Sequence, residues 1–205
     1  AGLTHPDFML VEKPEYPAAV NAAANRMNGE YLEGCNEILV FTRPDVVEEV
    51  HLQYLRAGSD LVETNTFGST SVVLADYDIA ELTYEVSLAA ARIARIACDK
   101  MSTPEKPRFV CGALGPGTKL VTLGQVGFDE LVDTYAESFV GLIEGGADVL
   151  LLETMQDLLM TKAGVLAAKR AMEKTGKKLP LICQVTMEQT GTMLLGSEMA
   201  AALNY

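Results

Sequence analysis

Residues 146–154 read Gly146-Ala147-Asp148-Val149-Leu150-Leu151-Leu152-Glu153-Thr154, with four consecutive apolar residues between two polar ends. A run that is apolar on both faces of a strand is typical of a parallel sheet covered by helices. A similar stretch, Gly58-Ser59-Asp60-Leu61-Val62-Glu63-Thr64, occurs earlier and also ends in Glu-Thr, but it is shorter by two residues. Because side chains alternate along a strand with a period of two, we expect Glu63 and Glu153 to line one cavity.

Strands and helices alternate from residue 42 onward. Apolar runs predict strands at residues 61–67, 109–114, 149–154 and 179–187. Helical spacing of apolar residues predicts helices at 42–57, 79–100, about 131–145, 156–174 and 197–203. This alternation favours an α/β fold in which a parallel sheet is covered by helices joined through right-handed crossovers.

The chain divides into two segments at about residue 40. Residues 1–40 have no sustained period, and we expect an irregular lead-in with one short helix in Ala18–Asn25. Thr42 and Asp45 resemble a capping box for the first regular helix, and Pro44 suits its first turn. The expected apolar stripe of this helix is Val46, Val47, Val50, Tyr54 and Leu55.

Composition excludes several classes of function. The formal net charge of -12 opposes binding to nucleic acid or to an anionic membrane surface. No apolar run is long enough to span a bilayer, and no export signal is visible, so we expect a cytoplasmic protein. The spacing of the four cysteines fits neither a zinc knuckle nor a disulfide framework, so we expect reduced thiols, with Cys111 and Cys183 packed as small apolar residues.

Polar and glycine residues gather where the predicted strands end. These strand exits are residues 63–68, 112–117, 153–157 and 184–188. In parallel α/β folds ligands bind at the carboxyl ends of strands. A carboxylate there can hold an ammonium group, and glycine lets backbone N–H groups approach a ligand carboxylate, so the combination suits an amino acid.

Simpler interpretations of the same residues stay open. Asp157 and Glu188 are predicted first as helix caps, and Asn65-Thr66 could equally satisfy backbone groups of their own loop. Glu153 follows four apolar residues, so capping explains it less well. His51 is interpreted as a structural residue of its helix. Gly115-Pro116-Gly117 is not the glycine fingerprint of a dinucleotide site.

Several motifs, taken in order along the chain, carry a family resemblance. They are Gly34-Cys35-Asn36-Glu37, Glu63-Thr64-Asn65-Thr66-Phe67-Gly68, Gly112-Ala113-Leu114-Gly115-Pro116, Glu144-Gly145-Gly146-Ala147-Asp148, Leu152-Glu153-Thr154 and residues 191–197. Together they resemble the homocysteine-binding domain of cobalamin-dependent methionine synthase over roughly residues 34–203.

The resemblance implies a (β/α)8 barrel of the TIM-barrel family, of which about four central βα units are present in residues 41–205. It implies zinc and methylcobalamin as cofactors, because in that family zinc-bound homocysteine thiolate attacks the methyl group of methylcobalamin. Zinc supplies the thiolate that a free thiol, with a pKa near 8.5, scarcely forms at neutral pH. The implied partners are homocysteine and the cobalamin-binding and methyltetrahydrofolate-binding domains of the same enzyme.

The implied substrate-binding residues are Glu153, which matches the carboxylate that holds the homocysteine ammonium, and Asn65 and Thr66, which match a strand-end segment lining the pocket. Glu63 and Gly115 join them as candidates from their strand exits. The family's zinc cysteines match no residue of this sequence, and neither does its opening Asp-Gly signature. We therefore expect a fragment truncated at both ends, with no metal ligand and no catalytic residue among its own side chains.

Two alternatives remain at this point. One is a non-catalytic truncated paralogue that binds an amino acid or a partner chain. The other is a homocysteine methyltransferase that uses a different methyl donor, such as betaine or S-methylmethionine, since such enzymes share the homocysteine site and fold alone does not separate them.

We predict that the purified 205-residue chain has no methyl-transfer activity, because no cysteine matches the zinc ligands. The measurement is methionine formation from homocysteine and methylcobalamin with added zinc. Zinc-dependent methionine formation by this chain would contradict the prediction.

Overall fold

The computed structural model describes residues 2–204. Ala1 and Tyr205, the outer ends of the predicted segments 1–40 and 41–205, lie outside the described residues. The elements are α1 (Ala18–Met27), α2 (Leu39–Thr42), α3 (Pro44–Ala57), β1 (Leu61–Glu63), α4 (Ser71–Leu74), α5 (Thr83–Met101), β2 (Phe109–Leu114), α6 (Phe128–Gly145), β3 (Val149–Met155), α7 (Leu158–Thr175), β4 (Leu181–Val185) and α8 (Met199–Asn204). Short 3-10 turns lie at His5–Phe8, Asn36–Ile38, Ala75–Tyr77 and Ala80–Leu82. None of these helices is long and apolar enough to cross a membrane.

The four strands form one parallel sheet in the order β1-β2-β3-β4, which confirms the predicted α/β class. In its register Glu63 lies opposite Cys111, and Cys111 opposite Val149. One face of the sheet packs against α5, α6 and α7 and forms the larger core, with Leu150 and Leu152 fully buried. The other face carries a small apolar cluster of Cys111, Ala113, Val149 and Leu151. Among the described residues the sheet is open at β1 and β4, so the barrel is not closed.

The start of α3 differs from the expected capping box. Thr42 belongs to the preceding short helix, where its hydroxyl donates to the Ile38 carbonyl at 3.4 Å, and the N-cap residue is Arg43. The Asp45 carboxylate instead accepts two hydrogen bonds from the Arg43 guanidinium. The predicted end at Gly58 is confirmed, since Gly58 adopts a φ of 116° that favours glycine.

The apolar stripe expected on α3 is only partly buried. Val47 and Leu55 are buried, whereas Val50 is 44% and Tyr54 is 63% exposed. The two exposed residues lie beside the unpaired edge of β1, where no described element covers them. Helical spacing identified the helix correctly, but burial of its face depends on what packs against it.

Two predicted strands are shorter in the structure than in the sequence pattern. β1 ends at Glu63 because the next residues turn, with the Thr66 N–H donating to the Thr64 carbonyl at 2.9 Å. β4 spans Leu181–Val185, and Cys183 within it is exposed, so its predicted burial was wrong. The reason is that β4 is an edge strand, and the helix layer covers only part of its helix-facing side. Cys111, in the central strand β2, is buried as predicted.

Residues 2–40 contain the expected short helix as α1. Its buried residues Val20 and Ala23 pack with Leu10 and Cys35, and this cluster extends to α2 and to the first half of α5. Whether residues 1–40 and 41–205 are separate units stays a prediction.

Helices α5 and α6 approach each other closely through glycines of α6. A Cβ at Gly145 would lie 2.5 Å from the Ala91 Cβ and 2.7 Å from the Leu88 carbonyl oxygen. A Cβ at Gly141 would lie 2.7 Å from the Tyr84 carbonyl oxygen. This contact fixes where α6 ends relative to β3, since only Gly146, Ala147 and Asp148 separate Gly145 from Val149.

We predict that Gly145→Ala lowers the free energy of unfolding by about 1–3 kcal/mol, because the added methyl group overpacks the α5–α6 contact. The measurement is denaturant unfolding followed by circular dichroism. Gly127→Ser is the matched control, because a Cβ there meets only ordinary contacts with Glu130 at 3.7 Å and serine suits an N-cap position. Equal stability of Gly145→Ala and the unchanged chain would contradict the close-packing argument.

Candidate functional site

A cavity of about 680 Å³ opens beside the carboxyl end of β1 and reaches Glu153 of β3. Its polar wall comprises Asn36, His51, Ser59, Glu63, Thr64, Asn65 and Glu153, and its apolar wall includes Val50, Tyr54, Leu61 and Phe67. We call it the Glu63–Glu153 cavity. Its volume lies within the range of small-molecule sites, and the mixture of apolar walls with a few convergent polar groups is typical of them.

Both glutamates lie on the inner face of the sheet, as their position in the two similar stretches predicted. Glu63 lies in register with Cys111, which belongs to the inner-face cluster. Glu153 follows Leu151 of the same cluster by two residues. Burial raises the pKa of the Cys111 thiol to about 12, and the charges of Glu63 and Glu153 both contribute to that shift. The two carboxylates therefore converge on one region of the face.

The half-buried position of Glu153 raises the pKa of its carboxyl, and the negative charge of Glu63 raises it further. A hydrogen bond from the Thr154 hydroxyl to the Glu153 carboxylate, at 3.4 Å, acts in the opposite direction. A cation beside the Glu153 carboxylate is attracted to this site, because a positive charge there offsets both the burial cost of Glu153 and its repulsion by Glu63. The site therefore favours a ligand that carries an ammonium group.

Asn65 lies at the cavity wall and is held there by the turn at residues 36–38. Its side-chain amide donates to the Asn36 carbonyl at 2.8 Å, which leaves the amide oxygen as the acceptor available to a ligand. A second contact fixes the same loop, since the buried Glu37 carboxylate accepts a hydrogen bond from the Gly68 N–H at 2.7 Å. Loop 64–68 is thus fastened at two points to the segment that precedes α3.

Thr66 and Gly115 do not line the Glu63–Glu153 cavity. Thr66 is fully buried, and its hydroxyl donates to the Ala113 carbonyl at 2.6 Å. The Gly115 N–H donates to the Phe67 carbonyl at 2.9 Å, so it is not available to a ligand carboxylate. A Cβ at Gly115 would lie 2.7 Å from the Phe67 ring, so this glycine makes room for a side chain of the cavity wall. Both residues support the wall from behind.

His51 is a wall residue that sequence reasoning interpreted as purely structural. It is 6% exposed, and its Nε2 atom has no hydrogen-bond partner among the described residues. Burial lowers the pKa of the imidazole, which is therefore neutral near pH 7. The only sequence feature that points to His51 as a wall residue is its position four residues after Val47, on the buried face of α3. That position fits a core histidine equally well.

The capping interpretation of Asp157 is confirmed. Its carboxylate accepts a hydrogen bond from the Leu159 N–H at 2.8 Å at the start of α7, and another from the Thr122 hydroxyl at 2.7 Å. The same interpretation is wrong for Glu188, because that residue opens a turn in which the Gly191 N–H donates to its carbonyl, and the next helix begins at Met199. Asp157 thereby ties the loop after β2 to the helix after β3.

The residues that the structure describes do not fit a zinc ion. No group of three or more His, Cys, Asp or Glu side chains among residues 2–204 could hold a metal. Burial raises the pKa of the Cys35 thiol to about 12 and that of Cys98 to about 11, so these thiols resist the deprotonation that metal binding requires. All four cysteines are free.

Consecutive parallel strands in the order β1-β2-β3-β4, with helices α5, α6 and α7 packed on one face of the sheet, are arranged as in a TIM-barrel-type α/β protein. The chain resembles in fold the homocysteine methyltransferase MmuM from Escherichia coli in its oxidized form, with a TM-score of 0.69 and 17% identity over 89% of this chain and 65% of that one. The metallated form of the same enzyme gives a TM-score of 0.68 over 89% of this chain and 66% of that one. At this identity the likeness concerns the fold.

The chain belongs to the homocysteine S-methyltransferase family, whose model matches residues 11–205. It is 54% identical over 172 residues to the methionine synthase of Mycobacterium leprae and 52% identical over 172 residues to that of Mycobacterium tuberculosis. These matches cover 84% of this chain and 14% of each relative, so the chain spans a small part of their length.

We predict that Glu63→Gln lowers the pKa of the Glu153 carboxyl toward its ordinary value of 4.5, because it removes the nearby negative charge that raises it. The measurement is an NMR titration of the Glu153 side-chain carboxyl carbon. Glu105→Gln, which neutralises an exposed carboxylate in the loop before β2, is the control of equal net charge. If the two variants shift the titration equally, the carboxylates do not interact within the cavity.

Proposed function

We propose that this chain is the homocysteine-binding module of a methionine synthase, the part that holds the amino acid whose thiol receives a methyl group. The single observation that carries the proposal is the convergence of Glu63 and Glu153 on one cavity, in a chain 54% identical to a mycobacterial methionine synthase. Family membership supplies the chemical class, and the cavity supplies a place for the substrate.

In this proposal the ammonium group of homocysteine lies against the Glu153 carboxylate, with Glu63 adding negative charge from β1. A charge-assisted hydrogen bond to a half-buried carboxylate is stronger than one in water, because fewer water molecules compete for it. The Asn65 amide oxygen is a further acceptor on the same wall. Leu61 and Phe67 offer apolar contacts for the side-chain methylene groups.

The cofactors of the proposed activity are zinc and methylcobalamin. Residues 2–204 do not fit a zinc ion. In this proposal they bind the amino acid. The proposed partners are the cobalamin-binding and methyltetrahydrofolate-binding domains of such an enzyme, and the matched relatives are about seven times longer than the matched region, since it covers 14% of each. We infer a cytoplasmic location from the four free cysteines.

The raised pKa of Glu153 sets the expected pH dependence of binding. Glu153 binds an ammonium group only when ionised, so affinity is complete above its pKa and falls as pH falls through it. Because that pKa is raised, the loss begins at a higher pH than for an ordinary glutamate.

We predict that Glu153→Gln weakens L-homocysteine binding about tenfold to a hundredfold, because it removes the charge-assisted hydrogen bond to the ammonium group. Isothermal titration calorimetry is the measurement, with Glu105→Gln as the control variant. The ligand control is 4-mercaptobutanoic acid, which lacks the ammonium group and should lose no affinity on the substitution. An equal loss for both ligands would show that Glu153 does not hold the ammonium group.

A further inference from the structure

The carboxyl end of β3 contains a β-bulge at Glu153 and Thr154. Leu152 pairs with Cys183 of β4, and the next pair joins Met155 with Val185. Three steps along β3 therefore correspond to two steps along β4, so β3 carries one extra residue at this point. The Thr186 N–H closes the bulge by donating to the Met155 carbonyl at 2.8 Å.

This extra residue reverses the alternation of side chains along β3. Val149 and Leu151 belong to the inner-face cluster, whereas Leu150 and Leu152 belong to the helix-facing core. Regular alternation would place Met155 on the inner face, yet Met155 is fully buried in the helix-facing core. Because of the bulge, two residues, Glu153 and Thr154, lie between the helix-facing Leu152 and the helix-facing Met155. Both are half-buried.

Thr154 adopts an unfavourable backbone conformation at the bulge. Its φ is 59°, in the left-handed region, where a β-branched side chain is a genuine outlier. Among residues 2–204 the other two non-glycine residues with positive φ are Asn28 and Asp78, whose short polar side chains tolerate this region. Such strain persists only where the surrounding structure imposes it, and it is concentrated at functional sites.

We propose that Thr154 is a positioning residue, which holds the Glu153 carboxylate toward Glu63 through the strained bulge and through its own hydroxyl. The proposal rests on the proposed function, since it deepens the account of how the homocysteine ammonium is held. Thr154 does not line the Glu63–Glu153 cavity, so it acts through Glu153. Its hydroxyl donates to the Glu153 carboxylate at 3.4 Å.

The buried Met155 explains why the strain is not released. Met155 lies in the core between β3 and the helices with no exposed surface, so the backbone after Thr154 is fixed. The backbone before it is fixed by the pairing of Leu152 with Cys183. Between these two anchors the extra residue is accommodated with residue 154 in the left-handed conformation. Glycine would adopt that conformation without strain, but it has neither the hydroxyl nor the restricted backbone.

The test compares Thr154→Gly with Thr154→Ser in this chain. Thr154→Gly should raise Tm by roughly 2 °C, because relief of left-handed strain exceeds the entropy cost of glycine. It should also weaken L-homocysteine binding about tenfold, the effect of one lost charge-stabilising hydrogen bond. Thr154→Ser keeps the hydroxyl and should retain the affinity. Thr154→Val, which keeps the side-chain shape but has no hydrogen-bond donor, serves if the glycine variant does not fold and should also lose affinity.

A ligand-free measurement separates this proposal from the proposed function. The shift of the Glu153 titration caused by Glu63→Gln should be at least halved in the Thr154→Gly background, because the carboxylate is no longer held toward β1. If the unchanged chain does not bind homocysteine, the proposed function fails, and this coupling alone decides the positioning role. An unchanged coupling overturns the positioning role. Parallel losses of Tm and affinity in Thr154→Gly also overturn it, because they indicate a structural residue only.

Discussion

The parallel hydrogen bonding of β2 and β3 is the constraint on which the rest of this structure depends. These two strands lie inside the sheet, and each is joined to the next strand by a long helix. Parallel pairing brings the carboxyl ends of all strands to the same edge, so the polar residues that follow β1 and β3 meet there. If β1 or β3 alone were reversed, Glu63 and Glu153 would lie at opposite ends of the sheet.

Packing of the helix layer protects that arrangement. The close contact of α5 with α6 through Gly141 and Gly145 fixes the layer, and Gly146 leads directly into the segment before β3. The helix layer also buries Met155, which fixes the end of the bulge that presents Glu153 to the cavity. Near the carboxyl end of β3, the buried Met155 and the cavity-lining Glu153 are therefore only two residues apart.

Membership of the homocysteine S-methyltransferase family agrees with this division of roles. In the proposed function the carboxylates hold an ammonium group, and the wall loop 64–68 is fastened by Asn36 and Glu37. Those two fastening residues lie within residues 36–38, far from β1 in the chain but adjacent in space. The family resemblance predicted that Asn65 and Thr66 both line the substrate pocket. In the structure Asn65 lines the cavity, whereas Thr66 is buried behind its wall. Adjacent residues of a turn point in different directions, so a matched motif does not tell which of them meets a ligand.

The amino-acid sequence by itself determined the parallel α/β class, the order of the elements and the shared orientation of Glu63 and Glu153, because these follow from local periodicity and from the two-residue repeat of a strand. It did not determine the exposure of Cys183, Val50 and Tyr54, since burial depends on which neighbours cover an edge strand or a helix face. Nor did it determine the N-cap of α3 or the strained bulge at Thr154. At the N-cap, Thr42 belongs to its own short helix and Asp45 pairs with Arg43. The bulge depends on the pairing of β3 with β4, a strand distant in sequence, and only the tertiary structure decides that pairing.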